Sequence, residues 1–219
     1  MKKRICCISD THGHHRKINI PECDMLIHAG DITWKGELDI IEDFALWMKD
    51  LPIKHKIVIH GNHELGHQSG PKRAPGLKML ADAGIIHLED SGVDIEGFKI
   101  YGSPDQPWFH NWEYNRQRGK EIAAKWAMIP DDTNILVTHG PPFMVRDEAP
   151  RGVFDHENVG CVDLLNRISD LKNLRLHVFG HIHGAYSEKP ILIDKTYFVN
   201  ASSCNEQYQP INPPVIVEL

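Results

Sequence analysis

Short apolar runs recur along the chain, and several of them stop at a glycine, an aspartate or a histidine. Runs of this length, bounded by turn-forming residues, indicate buried β-strands. The run near the C-terminus carries Asp194 and Lys195 in its middle, which predicts a hairpin turn between two arms. The predicted strands are Arg4–Ser9, Met25–Ala29, Lys56–His60, Ile85–Leu88, Gly92–Tyr101, Asn134–Thr138, Leu174–Phe179, Ile191–Asn200 and Pro214–Val217.

Between these runs, apolar residues return at the three- and four-residue spacing of an amphipathic helix. One such segment includes Leu38, Ile41 and Phe44, and Pro52 closes it. Trp47 in the same segment is expected to belong to the core. Helices are predicted at Glu37–Leu51, Pro75–Ala83, Glu113–Met128 and Cys161–Leu171. Alternating strands and helices are typical of an α/β protein.

Two segments lack this periodicity. Gly102–Trp112 is rich in turn formers and aromatic residues, which predicts either a lid that stacks a base or ring, or an Ω-like loop packed on its own aromatic side chains. Met144–Glu157 is predicted to be an irregular, charged loop. Its Arg146, Arg151 and His156 suit either a contact to a phosphate or base, or a solvated face with local ion pairs.

Length and composition limit the function classes. The 219 residues are enough for one domain, predicted to span residues 1–219. The formal charge of −6 argues against a general nucleic-acid binder. The five cysteines form no paired framework and are expected to be reduced and mostly buried, which favours the cytoplasm. No apolar run suits a signal peptide or a membrane span, so no membrane association is expected.

Polar residues with ligand chemistry follow five of the predicted strands. In α/β sheets, ligands bind outside the carboxyl ends of the strands, and imidazole is the commonest metal ligand in proteins. Any one of these residues could instead be a cap or a core residue, but five such strand ends together predict a metal site. The residues are Asp10, His12, Asp31, Asn62, His63, His139, His181 and His183.

The order of these blocks resembles the calcineurin-like metallophosphoesterase superfamily. The blocks are Asp-x-His, Gly-Asp, Gly-Asn-His-Glu, a glycine-flanked His, and Gly-His-x-His, and they span Asp10 to His183. Gly102-Ser103-Pro104 and the segments 199–204 and 209–214 resemble the MPPED-type branch, metallophosphoesterase-domain proteins that act on phosphodiesters. The resemblance implies a four-layer α-β-β-α sandwich of two mixed β-sheets flanked by helices.

The resemblance also implies two metal ions that share Asp31. His63 would ligate neither ion and would face the substrate, with Asp31 and His63 as the catalytic residues. Glu64 would orient His63 or brace the loop. The mixed imidazole, carboxylate and amide ligands favour Mn²⁺ in vitro, with Fe, Co, Ni or Zn as alternatives. The first ion would be held by Asp10, His12, Asp31 and His183, and the second by Asp31, Asn62, His139 and His181.

The implied reaction is phosphodiester hydrolysis by in-line attack of a hydroxide shared by two metals. Cyclic nucleotides, preferably 2′,3′-cyclic ones, or other nucleotide-type diesters are the expected substrates, and no stable nucleic-acid binding is expected. Two alternatives stay open: a phosphomonoesterase on the same metals, and a catalytically idle, metal-supported scaffold. The oligomeric state also stays open, with a homodimer as one option. Four further histidines beside the motifs are expected to support the site or lie at the surface: His14, His15, His60 and His67.

Overall fold

Two β-sheets packed face to face position the rest of the chain. The computed structural model describes residues 2–151 and 155–219. Its strands are β1 (Arg4–Ile8), β2 (Met25–His28), β3 (His55–Val58), β4 (Ile86–His87), β5 (Ser91–Ile95), β6 (Phe98–Ser103), β7 (Gln106–Pro107), β8 (Asn115–Arg116), β9 (Ile135–Thr138), β10 (Glu148–Pro150), β11 (His156–Asn158), β12 (Leu176–Phe179), β13 (Ile191–Ile193), β14 (Thr196–Asn200) and β15 (Val215–Glu218).

Both large sheets are mixed. The first has the order β15-β1-β2-β3-β4, in which only the β15–β1 pair is antiparallel. The second has the order β13-β14-β12-β9-β6-β5, with parallel pairs in the middle and an antiparallel pair at each edge. Because parallel neighbours end at the same edge of a sheet, the loops after β1, β2 and β3 emerge together, as do the loops after β9 and β12.

Helices cover the outer face of each sheet. The helices of the described chain are α1 (Leu38–Asp50), α2 (Arg73–Asp82), α3 (Lys120–Trp126) and α4 (Val162–Asp170), and none of them is long and apolar enough to cross a bilayer. Helices α1 and α2 pack on the first sheet, where Phe44 and Trp47 are buried. Helices α3 and α4 pack on the second sheet through residues such as Trp126 and Leu164. The predicted four-layer α-β-β-α sandwich is confirmed.

The apolar runs are continuous because both faces of each sheet are buried. In β1, Ile5 and Cys7 face the core between the sheets, whereas Cys6 and Ile8 face the helices. Each fully buried aliphatic side chain of this kind stabilises the fold by about 1.5–3 kcal/mol. The predicted strands are confirmed with shifted ends. Gly92–Tyr101 is an exception, because the left-handed residues Glu96 and Gly97 turn the chain and divide it between β5 and β6.

The prediction of a helix over Glu113–Met128 is wrong in its first half. Helix α3 begins only at Lys120, after Gly119 with a φ of 81°. Before it, β8 pairs with β7, and the Asn115 side-chain amide donates to three backbone carbonyls of the preceding loop, those of Phe109, His110 and Trp112. These hydrogen bonds close the loop between Phe109 and Asn115, so the chain here cannot continue as a helix.

The segment Met144–Glu157, predicted to be irregular, contains part of a two-stranded hairpin. Strands β10 and β11 pair antiparallel, with Ala149 opposite Glu157. Asp147 closes the base of this hairpin by accepting hydrogen bonds from the backbone N–H groups of Met144 and Gly160. Residues 152–154 of the predicted loop lie outside the described residues.

Candidate metal centre

The five predicted strand ends meet where the two sheets face each other. Asp10, His12, Asp31, Asn62 and His63 follow strands of the first sheet, and the three remaining histidines follow strands of the second. The site therefore lies across two sheets and not along the edge of one. Its cross-sheet contacts are His183 Nε2 to Asp10 Oδ1 at 3.4 Å, His139 Nε2 to Asp31 Oδ2 at 3.3 Å, and His139 Nε2 to Asn62 Oδ1 at 2.9 Å.

One group of donor atoms contains Asp10, His12 and His183. One ligand atom from each of these residues lies within 4.8 Å of the others. The Nε2 atoms of His12 and His183 are only 3.2 Å apart, so both imidazoles point at the same place. Asp31 Oδ2 lies 3.9 Å from His12 Nε2, which brings its carboxylate to the edge of this group.

A second group contains Asp31, His139 and His181, again with ligand atoms within 4.8 Å of one another. The Asn62 side-chain oxygen joins it through its contact with His139. Asp31 contacts both groups, which is the arrangement the sequence analysis predicted for a shared ligand. The candidate ligand atoms of the two groups are of three kinds: imidazole nitrogen, carboxylate oxygen and amide oxygen.

Backbone carbonyls fix the orientation of the histidine rings. A carbonyl oxygen can only accept, so the Nδ1 atom that contacts it must carry the proton. In the neutral form of each such ring, Nε2 then carries the free lone pair that can bind a metal. The Nδ1 contacts are His12 to Thr33 O at 3.0 Å, His139 to Ala29 O at 2.9 Å, His183 to Asn205 O at 3.0 Å and His63 to Trp34 O at 2.7 Å.

The two carboxylates are held by donors of the surrounding loops. Asp10 accepts from the backbone N–H of His181 at 3.1 Å and from the Ser202 hydroxyl at 2.8 Å. Asp31 Oδ1 accepts from the backbone N–H of His63 at 2.9 Å. Ser202 lies in the segment 199–204, outside the five ligand blocks, and the sequence did not predict its contact with Asp10.

Four of the candidate ligands have left-handed backbones. The φ angles are 50° at Asp10, 42° at His12, 58° at Asp31 and 68° at His181. Non-glycine residues rarely adopt this region, and it costs of order 1–3 kcal/mol at each position. Such strain clusters at functional sites, and here the surrounding hydrogen bonds hold the turns that aim the ligands inward.

Glycines allow the loops to approach the carboxylates. A Cβ atom at Gly180 would collide with Asp10 Oδ2, and one at Gly61 would collide with Asp31 Oδ1. Close backbone approach therefore explains the glycine of the Gly-Asn-His and Gly-His-x-His blocks.

Glu64 ties three of these loop positions together. Its buried carboxylate accepts hydrogen bonds from the backbone N–H groups of Gly61 at 2.6 Å, Thr33 at 3.0 Å and Asp31 at 3.1 Å. It therefore fixes the loop after β2 against the loop after β3. This agrees with the bracing role predicted for Glu64.

The electrostatics favour ligating protonation states at His12, His181 and Asp10, but a protonated ring at His139. Burial lowers the pKa of His12 to about 4 and that of His181 to about 3. Burial alone would raise the pKa of the Asp10 carboxyl, but hydrogen bonding and charge from His183 hold it well below its usual value. Burial also opposes protonation of His139, yet the Asp31 carboxylate beside it raises its pKa to about 9. A cation binding there would have to displace that proton.

His63 occupies the floor of the site with its Nε2 3.9 Å from Asp31 Oδ2. It forms a third group of potential ligands with His12 and Asp31. Its ring also packs against Trp112 at 4.2 Å between centroids, so the ring is held from two sides.

A cavity of about 540 Å³ opens over the candidate centre. Its floor includes Asp31, Asn62, His63, His181 and His183, and its walls include Trp108, Phe109, Arg118 and Tyr208. Trp108 is 53% exposed and Phe109 is 48% exposed. The aromatic segment 102–112 thus presents two aromatic side chains to the cavity, while Asn115 closes the loop from behind.

The other arginines and histidines that the sequence suggested as possible site residues lie outside the candidate centre. Arg151 pairs with Glu157 at 3.5 Å on an exposed face. Arg146 and His156 line a second, smaller cavity of about 330 Å³ beside the hairpin. His15 is buried and contacts Asp43 at 2.9 Å, His14 is half-buried, and His60 and His67 are buried beside the loop after β3. Arg118 and Tyr208 in the cavity wall carried no sequence signal.

Known proteins resemble this chain in sequence and in fold. The model of the family described as "Calcineurin-like phosphoesterase" matches residues 3–185, which contain all the candidate ligands. Metallophosphoesterase domain-containing protein 1 of Homo sapiens is 40% identical over 237 residues, covering 99% of this chain and 71% of that protein, and its Mus musculus counterpart matches equally well. The crystal structure of TT1561 of Thermus thermophilus shares the fold, with a TM-score of 0.59 at 12% identity over 91% of this chain and 89% of that one. The chain therefore belongs to the calcineurin-like phosphoesterase family.

Proposed function

We propose that this chain hydrolyses phosphodiesters at a centre of two metal ions, with cyclic nucleotides, 2′,3′-cyclic ones in particular, as substrates. The observation that carries the proposal is the position of Asp31, whose carboxylate contacts two separate groups of imidazole donors. Asp10, His12, Asp31 and His183 would hold one ion, and Asp31, Asn62, His139 and His181 the other.

The residues present fit such a centre. Three of the proposed imidazole ligands offer Nε2 because their Nδ1 atoms donate to backbone carbonyls. The proposed donors include no thiolate, which favours Mn²⁺, Fe, Co²⁺, Ni²⁺ or Zn²⁺. When bound, two such ions acidify water and neutralise the charge of a phosphate ester.

His63 is proposed to act on the substrate and not as a ligand. The Trp34 carbonyl holds its Nδ1, and its Nε2 faces the floor of the cavity beside Asp31. A protonated Nε2 could donate to the phosphate oxygens or to the departing alkoxide. General acid catalysis of this kind contributes roughly 10²- to 10⁴-fold.

The residues of the cavity wall favour a nucleotide-type diester as the substrate. Exposed aromatic faces stack on bases of any sequence, and Trp108 and Phe109 offer two such faces above the floor. Arg118 adds a guanidinium to the same wall. The volume of about 540 Å³ lies in the range of small-molecule sites.

A matched substrate panel tests the proposal. Mn²⁺-loaded chain is assayed on bis(p-nitrophenyl) phosphate against p-nitrophenyl phosphate, and on 2′,3′-cyclic against 3′,5′-cyclic AMP. We expect the diester and the 2′,3′-cyclic nucleotide to show the higher kcat/KM, with Asp31→Ala inactive on all four. A strong monoester preference would replace this proposal by a phosphomonoesterase. Absence of turnover on every ester by fully loaded protein would favour the idle scaffold.

A further inference from the structure

A second cluster of potential ligands lies at the ends of β3 and β4, beside the candidate metal centre. In this parallel pair Val58 is opposite His87, and the Leu88 N–H donates to the Val58 carbonyl at 2.9 Å. Continuing the register by two residues places His60 opposite Glu89. Since alternate residues of a strand share a face, the side chains of His60, His87 and Glu89 fall on one side of the sheet.

Two imidazole nitrogens of this cluster are buried without a hydrogen-bond partner among the described residues. They are Nε2 of His60, whose side chain is fully buried, and Nε2 of His87. The two rings lie 4.3 Å apart between centroids. A buried polar atom left unpaired costs about 1–3 kcal/mol, so two unpaired atoms on neighbouring rings point to a partner outside the protein chain.

The third member supplies a negative charge. One atom each of His60, His87 and a Glu89 carboxylate lie within 4.8 Å of one another. Arg73 donates from one nitrogen to both Glu89 oxygens, at 2.7 and 3.0 Å. A carboxylate has about four lone-pair sites, so it can accept from an arginine and still ligate a cation. Arg73 then orients the ligand, as outer partners of metal-binding carboxylates commonly do.

The His60 ring is oriented in the same manner. Its Nδ1 lies 3.0 Å from the Tyr114 hydroxyl, so Nε2 is the His60 nitrogen without a hydrogen-bond partner among the described residues. His67 is also near, at 5.2 Å between ring centroids from His60. It is not a ligand candidate, because its Nε2 contacts the Gly36 carbonyl and its Nδ1 faces Gly76.

We propose that His60, His87 and Glu89 bind one zinc ion, separate from the centre around Asp31. Two imidazoles and one carboxylate are a recurring zinc ligand set, completed by a water at the fourth position. This ion would join the end of β3, directly before the Gly61–Asn62 turn, to the connection between β4 and β5. It would thereby fix the loop that carries Asn62.

The test counts zinc ions in the full chain. Protein is stripped, reloaded with Zn²⁺, desalted and analysed by mass spectrometry of the metal, as wild type and as Asp31→Ala. His87→Asn is expected to lower the stoichiometry by one ion per chain in both backgrounds. His156→Asn, an exposed histidine outside the cluster, is the matched control and is expected to lower it in neither. The Asp31→Ala background keeps this outcome independent of the proposed dinuclear centre.

A second measurement covers the case in which His87→Asn fails to fold. Crystals of Zn²⁺-loaded wild-type protein, measured on both sides of the zinc absorption edge, should show an anomalous peak between His60, His87 and Glu89. An unchanged stoichiometry in folded His87→Asn, or the absence of that peak while the chain is loaded with zinc, would overturn the proposal. A water at this position, with electron density but no anomalous signal, would also overturn it.

Discussion

Asp31 Oδ2 lies 3.3 Å from His139 Nε2, across the boundary between the two sheets. Asp31 follows β2 of the first sheet and His139 follows β9 of the second. Burial alone would raise the pKa of Asp31, but the charges of His139 and His63 hold it well below its usual value. The aspartate therefore stays ionised where both groups of donors meet.

Removing that carboxylate should affect both proposed ions. Asp31→Ala deletes a carboxylate that lies beside imidazole donors of both groups, so we expect the chain to lose both proposed metals of the centre and all hydrolysis. Elemental analysis after desalting provides the measurement. Asp94→Ala, at an exposed position of β5, is the control and should retain wild-type occupancy. Near-normal occupancy in Asp31→Ala would contradict the shared role.

Replacing His63 should lower turnover without lowering the metal content. His63→Ala removes the proposed proton donor and leaves the seven proposed ligands in place. We expect kcat on a phosphodiester to fall about 10²- to 10⁴-fold, with metal content close to that of wild type. Parallel kinetics and elemental analysis of the same sample measure both quantities. Loss of an ion in step with activity would instead identify His63 as a ligand, as its group with His12 and Asp31 also permits.

The convergence of the proposed ligands was predictable because they directly follow apolar runs and are confined to short motifs. The supporting contacts were not. Ser202 binds Asp10 from 192 positions away, and the carbonyls that orient the histidine rings leave no residue-type signal. The helix predicted over 113–128 is wrong in its first half because local hydrogen bonds, from the Asn115 side chain to the carbonyls of His110 and Trp112, override a helical pattern. The single-domain interpretation of residues 1–219 stays a prediction.

Glu64 should contribute to stability through its three N–H donors. Glu64→Gln replaces one oxygen by an NH₂ group, which must face a backbone N–H of Gly61, Asp31 or Thr33. Burial raises the pKa of the Glu64 carboxyl to about 8, so the carboxylate accepts from all its donors only above that pH. Leaving a buried donor unpaired costs about 1–3 kcal/mol, so the free energy of unfolding in urea at pH 9 should fall by that amount. Glu22→Gln, at an exposed position, should change it by less than about 0.5 kcal/mol. Equal stability of the two variants would contradict the bracing role.

His177 should make the fold sensitive to acid. It is buried in β12, its Nε2 lies 2.8 Å from the Thr138 hydroxyl, and burial lowers its pKa from 6.5 to about 3. Between these two values the unfolded chain binds a proton that the folded chain does not. Stability from this residue is therefore complete above pH 6.5 and falls by about 1.4 kcal/mol per pH unit as the pH drops towards 3.

Replacing His177 by a residue that does not titrate isolates this effect. Between pH 6 and pH 4, the free energy of unfolding of His177→Gln should fall less steeply with decreasing pH than that of wild type. The difference between the two slopes should correspond to at most about one bound proton. Urea unfolding at several pH values, followed by circular dichroism on metal-free protein, measures both slopes. Parallel slopes in the two proteins would show that His177 does not titrate differently in the folded and unfolded states.

The exposed Trp108 should matter only for substrates that carry a base. Stacking of a base on an aromatic side chain is worth about 1–3 kcal/mol, which corresponds to roughly a 5- to 150-fold change in affinity. Trp108→Ala should therefore raise KM for 2′,3′-cyclic AMP by a factor in that range. KM for glycerol 1,2-cyclic phosphate, which has the ring diester but no base, should stay unchanged. Leu46→Ala, an exposed apolar position of α1, is the control and should alter neither KM. An equal rise for both substrates would mean that Trp108 shapes the floor of the site and does not bind the base.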